Sequence, residues 1–176
     1  MALFTRREAP PADVVAYLDR GERALAWADV DDGTVVVATP RGLWWPDDGD
    51  GHHLIGWQFV DRAVWREDVL TITAAEVLDD VLLVDLPPVA ARLVKARDLP
   101  SVVRKRVEAN VVRSQVRPLP GGAGRFVGRR TPGRDGVSWW VRLEPGTADN
   151  PVVRDQIDVV LAELRSQWTA DPESAD

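Results

Sequence analysis

The sequence predicts an α+β fold: an antiparallel β-barrel or sandwich capped by a helix, followed by a β-hairpin plus helix extension. Three observations carry this. Short apolar runs of period two recur at close spacing over residues 23–94, with turn pairs between them, which is a meander signature and not a βαβ one. Helical spacing takes over at Leu99. A second amphipathic helix then follows two further strands near the C-terminus.

Taken in order, Pro10-Pro11 leads into a short helix with Val14, Tyr17 and Leu18 on one face, and Gly21 is placed to end it in a left-handed conformation. Strands follow at 23–30 and 34–39, joined by Asp31-Asp32-Gly33, where Asp-Gly suits a primed turn with positive φ at both central residues. More strands read at 42–46, 53–57, 62–67, 69–74, 81–86 and 89–94, with Glu67-Asp68 and Asp79-Asp80 as turns. Asp98 is placed to cap a helix whose first turn holds Pro100, and Leu99, Val103, Val107 and Val111 line one face of it. Pro118 and Pro120 with Gly121-Gly122-Ala123-Gly124 read as a linker. Strands at 125–130 and 137–143 form the hairpin of the extension. Its helix takes Asn150 as cap and Pro151 in its first position, and it buries Val153, Ile157, Val160, Leu161, Leu164 and Trp168. The resulting organisation is an N-terminal helix over 1–21, a β-domain over 22–117, a ββα extension over 121–170 and a frayed acidic tail over 171–176.

Composition narrows the chemistry. The 176 residues can bury roughly 70% of the unfolded chain's surface, so folding requires neither disulfides nor metal. Cysteine is absent, which removes disulfides, thiolate metal sites and a cysteine nucleophile. The two histidines are adjacent, His52 and His53, and no serine sits in a Gly-x-Ser-x-Gly elbow. No catalytic residue is indicated, no cofactor is expected, and the chain is read as a non-enzyme. Asp47, Asp48, Asp50, His52 and His53 crowd one loop, but their order matches no calcium motif, and a polar turn is the better account. The first residues lack the apolar core of a secretion signal and no segment has the roughly 18 apolar residues of a membrane span, so a cytoplasmic location is expected.

The antiparallel run with its closing helix over residues 22–117 resembles the bacterial PH-like domain. The likeness rests on Ala38-Thr39-Pro40-Arg41-Gly42-Leu43, Ile55-Gly56-Trp57-Gln58-Phe59-Val60, Val69-Leu70-Thr71-Ile72-Thr73 and Leu99-Pro100-Ser101-Val102-Val103. The whole chain is also similar to actinobacterial proteins of this size, a likeness that implies no activity. Relatives of the fold hold phosphoinositide headgroups with basic residues near the first hairpin loop. Here that loop reads Asp29-Val30-Asp31-Asp32-Gly33, whose carboxylates repel a phosphate, so no phosphoinositide binding is expected.

Charge is uneven. Residues 101–134 hold nine basic groups and one acidic group, between acidic flanks, in a chain of net charge −6. Arg104, Lys105, Arg106, Arg113, Arg117, Arg125, Arg129, Arg130 and Arg134 could neutralise phosphates, which makes a nucleic-acid-associated protein the alternative reading. A solvated helix face plus a charged hairpin is the simpler account, and no recognised nucleic-acid motif accompanies the run. Gly122-x-Gly124 has the wrong spacing for a dinucleotide loop and precedes a strand.

The tryptophans point elsewhere. Trp44-Trp45 and Trp139-Trp140 are adjacent pairs within strands, so one member of each faces away from its sheet's main core. An indole covers on the order of 200 Å², and an exposed pair would form an apolar patch. Either the hairpin and helix cover these rings within the chain, or the rings meet a partner protein or a second copy. The functional expectation is a non-catalytic protein-protein interaction module, with Trp44, Trp45, Trp139, Trp140 and Trp168 as contact residues and a protein partner or homodimer in view.

Overall fold

The computed structural model describes residues 10–49 and 51–170. The first part of the expected N-terminal segment, Asp50 and the expected frayed tail lie outside the described residues. In chain order the elements are α1 (Ala12–Val15), β1 (Ala26–Val30), β2 (Val35–Ala38), β3 (Gly42–Pro46), β4 (His52–Gly56), a single 3₁₀ turn (Trp57–Phe59), β5 (Val60–Arg66), β6 (Val69–Leu78), β7 (Leu82–Asp85) and β8 (Val89–Lys95). They are followed by α2 (Leu99–Asn110), β9 (Val111–Leu119), β10 (Gly122–Arg129), β11 (Ser138–Leu143) and α3 (Pro151–Ala170). The architecture is mixed α+β, a large open sheet of 11 strands with a C-terminal helix. Among the described residues no helix is long and apolar enough to cross a membrane.

The long strand β6 organises the sheet. Its first half pairs with β5 on one edge and β8 on the other, and its second half pairs with β7. Pro87-Pro88 sits between β7 and β8. Neither proline has an N–H to give the ladder, so the chain breaks there and the two strands part. β8 goes on to β1, β2, β3 and β4; β7 goes on to β11, β10 and β9. The β7–β11 pairing is parallel, with Val141 N–H donating to Val81 O at 2.9 Å.

The sheet does not close, which corrects the expectation of a barrel. The reason is the 3₁₀ turn at 57–59, which carries the chain away after β4. β4 pairs only with β3, while β5 pairs with β6. α2 lies against the open side instead, its Leu99 and Val103 entering the first core beside Leu43, Trp57, Leu70 and Ile72. A second core lies under α3, where Val153, Ile157, Val160, Leu161 and Leu164 pack on Phe126, Trp139 and Val141. That helix follows the expected spacing, and Asn150 Oδ1 accepts from Val153 N–H at 3.0 Å as its cap.

Four local expectations change. The β1–β2 connection is a three-residue loop with positive φ at Gly33 alone, not a primed two-residue turn; Val30 and Thr34 close it through Val30 N–H to Thr34 O at 2.9 Å. Asp98 precedes α2 but makes no side-chain capping bond. α2 stops at Asn110, and Val111, expected on its apolar face, begins β9. Finally, the stretch expected as a linker is a tight hairpin: Leu119 pairs with Gly122 across Pro120 and Gly121, and Gly121 has φ 73. Proline then a left-handed glycine is the type II turn pattern.

Candidate anion-binding recess

The end of α2 and the start of the loop after β10 are tied together by one residue. Asn110 gives its backbone carbonyl to Arg130 N–H at 3.0 Å, and its side-chain Nδ2 donates to Arg130 O at 2.6 Å. The loop beyond is held by Arg134 N–H donating to Thr131 O at 3.1 Å and turns on Gly133 and Gly136, both at positive φ. Between the helix end and this loop lies a recess of about 340 Å³, lined by Pro40, Trp57, Arg106, Ala109, Asn110, Arg130, Thr131, Pro132 and Arg134.

Its electrostatics are one-sided. Three arginines line it, and among the described residues no Asp, Glu or His does. Among the described residues, the guanidinium groups of Arg106 and Arg134 have no ion-pair or hydrogen-bond partner. Against them, the last carbonyls of α2 carry partial negative charge, which holds the neighbouring cations and offsets part of their pull on an anion. Trp57, 2% exposed, forms a fixed wall because its Nε1 donates to Thr39 O at 2.8 Å. Asn110 is 7% exposed and its carboxamide Oδ1 has no hydrogen-bond partner. Buried carboxamides rarely leave an acceptor unmet.

The other basic residues of the segment are otherwise engaged or lie elsewhere. Arg104 pairs with Glu108 at 2.8 Å, Arg117 with Glu163 at 2.9 Å and Arg125 with Glu144 at 3.0 Å. Arg129 is buried at 4% exposure and donates to Gln58 O at 3.0 Å and Val60 O at 2.9 Å. Its second amino group faces Asp61, which also receives Arg142 at 3.0 Å. Burial holds the Arg129 guanidinium below its ordinary pKa, against the opposing pull of Asp61. Arg129 is therefore a structural link between β10 and the 57–61 stretch, its guanidinium committed within the chain. Lys105 and Arg113 are exposed and outside the recess. Arg106 and Arg134 emerge as site residues that the basic run does not single out. Asn110 and Trp57 were not expected at all, and the one signal for Asn110 is a polar residue at the end of a helix face.

The tryptophans expected at a partner surface lie mostly inside. Trp45 is 4% exposed in the first core, Trp139 is 4% exposed beneath α3, and Trp140 is 9% exposed on the opposite face against Phe59, Ala75 and Leu83. The members of each pair do face opposite ways, and the chain covers both sides: Trp44 sits half-buried under α1 with Trp27 and Val14. Trp168, also half-buried, meets Trp139 edge-on at 6.3 Å.

The loop with Asp47, Asp48 and His53 faces Asp31, Asp32 and Arg92 across a second recess of about 440 Å³. His53 Nδ1 lies 2.5 Å from Asp47, while His52 turns away to Val35 O. Among the described residues no cluster of His, Cys, Asp or Glu could hold a metal ion. Comparisons with protein-family models, with curated proteins and with solved structures found no match.

Proposed function

We propose that this chain is a non-catalytic, cytoplasmic protein-interaction module on a PH-like framework, and that it holds an anionic group of a partner protein in the Arg106–Arg130–Arg134 recess. The framework reading rests on the antiparallel run β1 to β8 with α2 laid over its open side. One observation carries the binding reading: in a chain of net charge −6, three arginines line a recess that no acid among the described residues lines. Arg106 and Arg134, which have no ion-pair partner among the described residues, make this concave surface complementary to an anion and select against cationic partners.

The pairing of Arg104, Arg117, Arg125 and Arg129 supports a single anionic group over a nucleic-acid backbone, because an extended phosphate track needs a continuous run of uncommitted cations. The test is calorimetric titration of the full chain with a pool of short glutamate-rich peptides. Saturable binding is expected, weakening by about tenfold or more in the double variant Arg106→Glu, Arg134→Glu, as the loss of charge-assisted hydrogen bonds implies. Binding that is absent, or equally strong in the double variant, contradicts the proposal.

A further inference from the structure

We infer that the anionic group recognised at this recess is a phosphomonoester on a peptide; this rests on the reading of the recess as a protein-binding anion site and sharpens it. Charge balance is the first ground. A carboxylate brings one negative charge to the two guanidinium groups of Arg106 and Arg134, whereas a phosphomonoester brings close to two at neutral pH, with three acceptor oxygens for planar guanidinium donors. Arg106 on α2 and Arg134 on the loop approach from different elements, and neither has a carboxylate partner among the described residues. Groups spread about one oxygen cluster match a tetrahedral anion better than a planar one.

Size is the second ground. At about 340 Å³ the recess holds more than an isolated phosphate, and the remaining wall is apolar: Pro40, Trp57, Ala109 and Pro132. Pockets of this volume take an organic carrier along with its charged group. The third ground is Asn110, nine-tenths buried on the recess wall with Oδ1 unpartnered. Its unmet acceptor favours a ligand that brings a hydrogen-bond donor deep enough to reach it, and a peptide backbone N–H is such a donor where a fully ionised phosphate is not.

The experiment uses the full chain and two degenerate peptide pools of equal length, one with a central phosphoserine and one with glutamate in its place, measured by calorimetry beside inorganic phosphate and a short single-stranded oligonucleotide. The phosphoserine pool is expected to bind about tenfold more tightly than the glutamate pool, the effect of one further charge-assisted hydrogen bond. Its affinity is expected to rise from pH 5 to 7, as the phosphate's second ionisation near pH 6 completes. Among the described residues no Asp, Glu or His lines the recess, so the pH dependence belongs to the ligand. Arg106→Gln and Arg134→Gln each weaken binding, whereas Arg104→Gln, on the exposed pair with Glu108, does not.

Equal affinity for both pools, lost in Arg106→Gln, overturns the phosphomonoester and leaves the anion site standing. Binding of neither pool overturns both. Inorganic phosphate that competes as well as the peptide overturns the peptide carrier. An oligonucleotide that binds more tightly than either pool overturns the assignment in favour of nucleic acid.

Discussion

Asn110 grips the backbone of Arg130 at two points, accepting from its N–H at 3.0 Å and donating through Nδ2 to its carbonyl at 2.6 Å, across 20 residues of sequence. This clamp fixes the loop carrying Arg130 and Arg134 against the end of α2. Replacing Asn110 by Ala leaves the Arg130 carbonyl without that donor and is expected to cost about 1–3 kcal/mol, the penalty for an unsatisfied buried group. Asn110→Asp adds repulsion between carboxylate and carbonyl and places a negative charge in the recess. Urea unfolding checks the first effect. Peptide titration checks the second, with Asp expected to lower affinity more than Ala does.

Arg129 joins the two halves of the sheet through the carbonyls of Gln58 and Val60 and through Asp61. Arg129→Met removes the donors from two carbonyls and one cation from Asp61, which keeps Arg142. A loss of about 3 kcal/mol is expected, toward the lower end for breaking a buried pair because Arg142 remains. Chemical denaturation of the two proteins measures it, and a change under about 0.5 kcal/mol, the range of ordinary surface substitutions, would show that Arg129 carries no such link.

Gly122 has no left-handed backbone to protect, yet a Cβ built on it would clash with Thr147 Oγ1. That hydroxyl both accepts from Ala123 N–H and donates to Ala123 O, each at 2.9 Å, and so pins the loop before α3 onto β10. Gly122→Ala is expected to destabilise by about 1–3 kcal/mol through overpacking. The double variant with Thr147→Gly removes the clash as well as the hydroxyl. Thermal melts should show the two substitutions to be less than additive; strict additivity would place the strain elsewhere.

Asp32 accepts from Thr34 Oγ1 at 2.6 Å and from Thr34 N–H at 2.8 Å, and these bonds hold its carboxyl below the ordinary aspartate value. Depressed in the folded state, this group adds stability that is present above the unfolded aspartate pKa of about 3.9 and is lost as pH falls through the folded value. Thr34→Val removes the leading cause, the hydroxyl bond. Carboxyl NMR titration should show the Asp32 midpoint move upward in that variant, and an unmoved midpoint would assign the shift to another group.

Much of this architecture is legible in the residues. The strands of 26–95 announce themselves by alternation and turn pairs, and α3 by its apolar stripe and Asn150 cap. Two failures have a shared cause, which is that local pattern was ambiguous where tertiary pairing decided. Val111 continues the four-residue spacing of Leu99, Val103 and Val107, so the helix overran into β9; the alternation of Arg113, Gln115 and Arg117 was the competing signal. Pro120-Gly121 reads equally as linker or type II turn until β9 is known to be a strand. The open sheet depends on where β5 finds its partner, which no local pattern encodes. The recess was half visible, as a basic run, but its members could be told apart only once Glu108, Glu144, Glu163 and Asp61 had claimed theirs.

The most direct test of the recess is a two-dimensional NMR titration of the full chain with the phosphoserine peptide pool. Shifts are expected to gather at the Trp57 indole N–H, the Asn110 side-chain amide and the backbone amides of Arg130 and Arg134, saturating together. Shifts that gather instead around Asp31, Asp47 and His53, or no saturable shift at all, would contradict it.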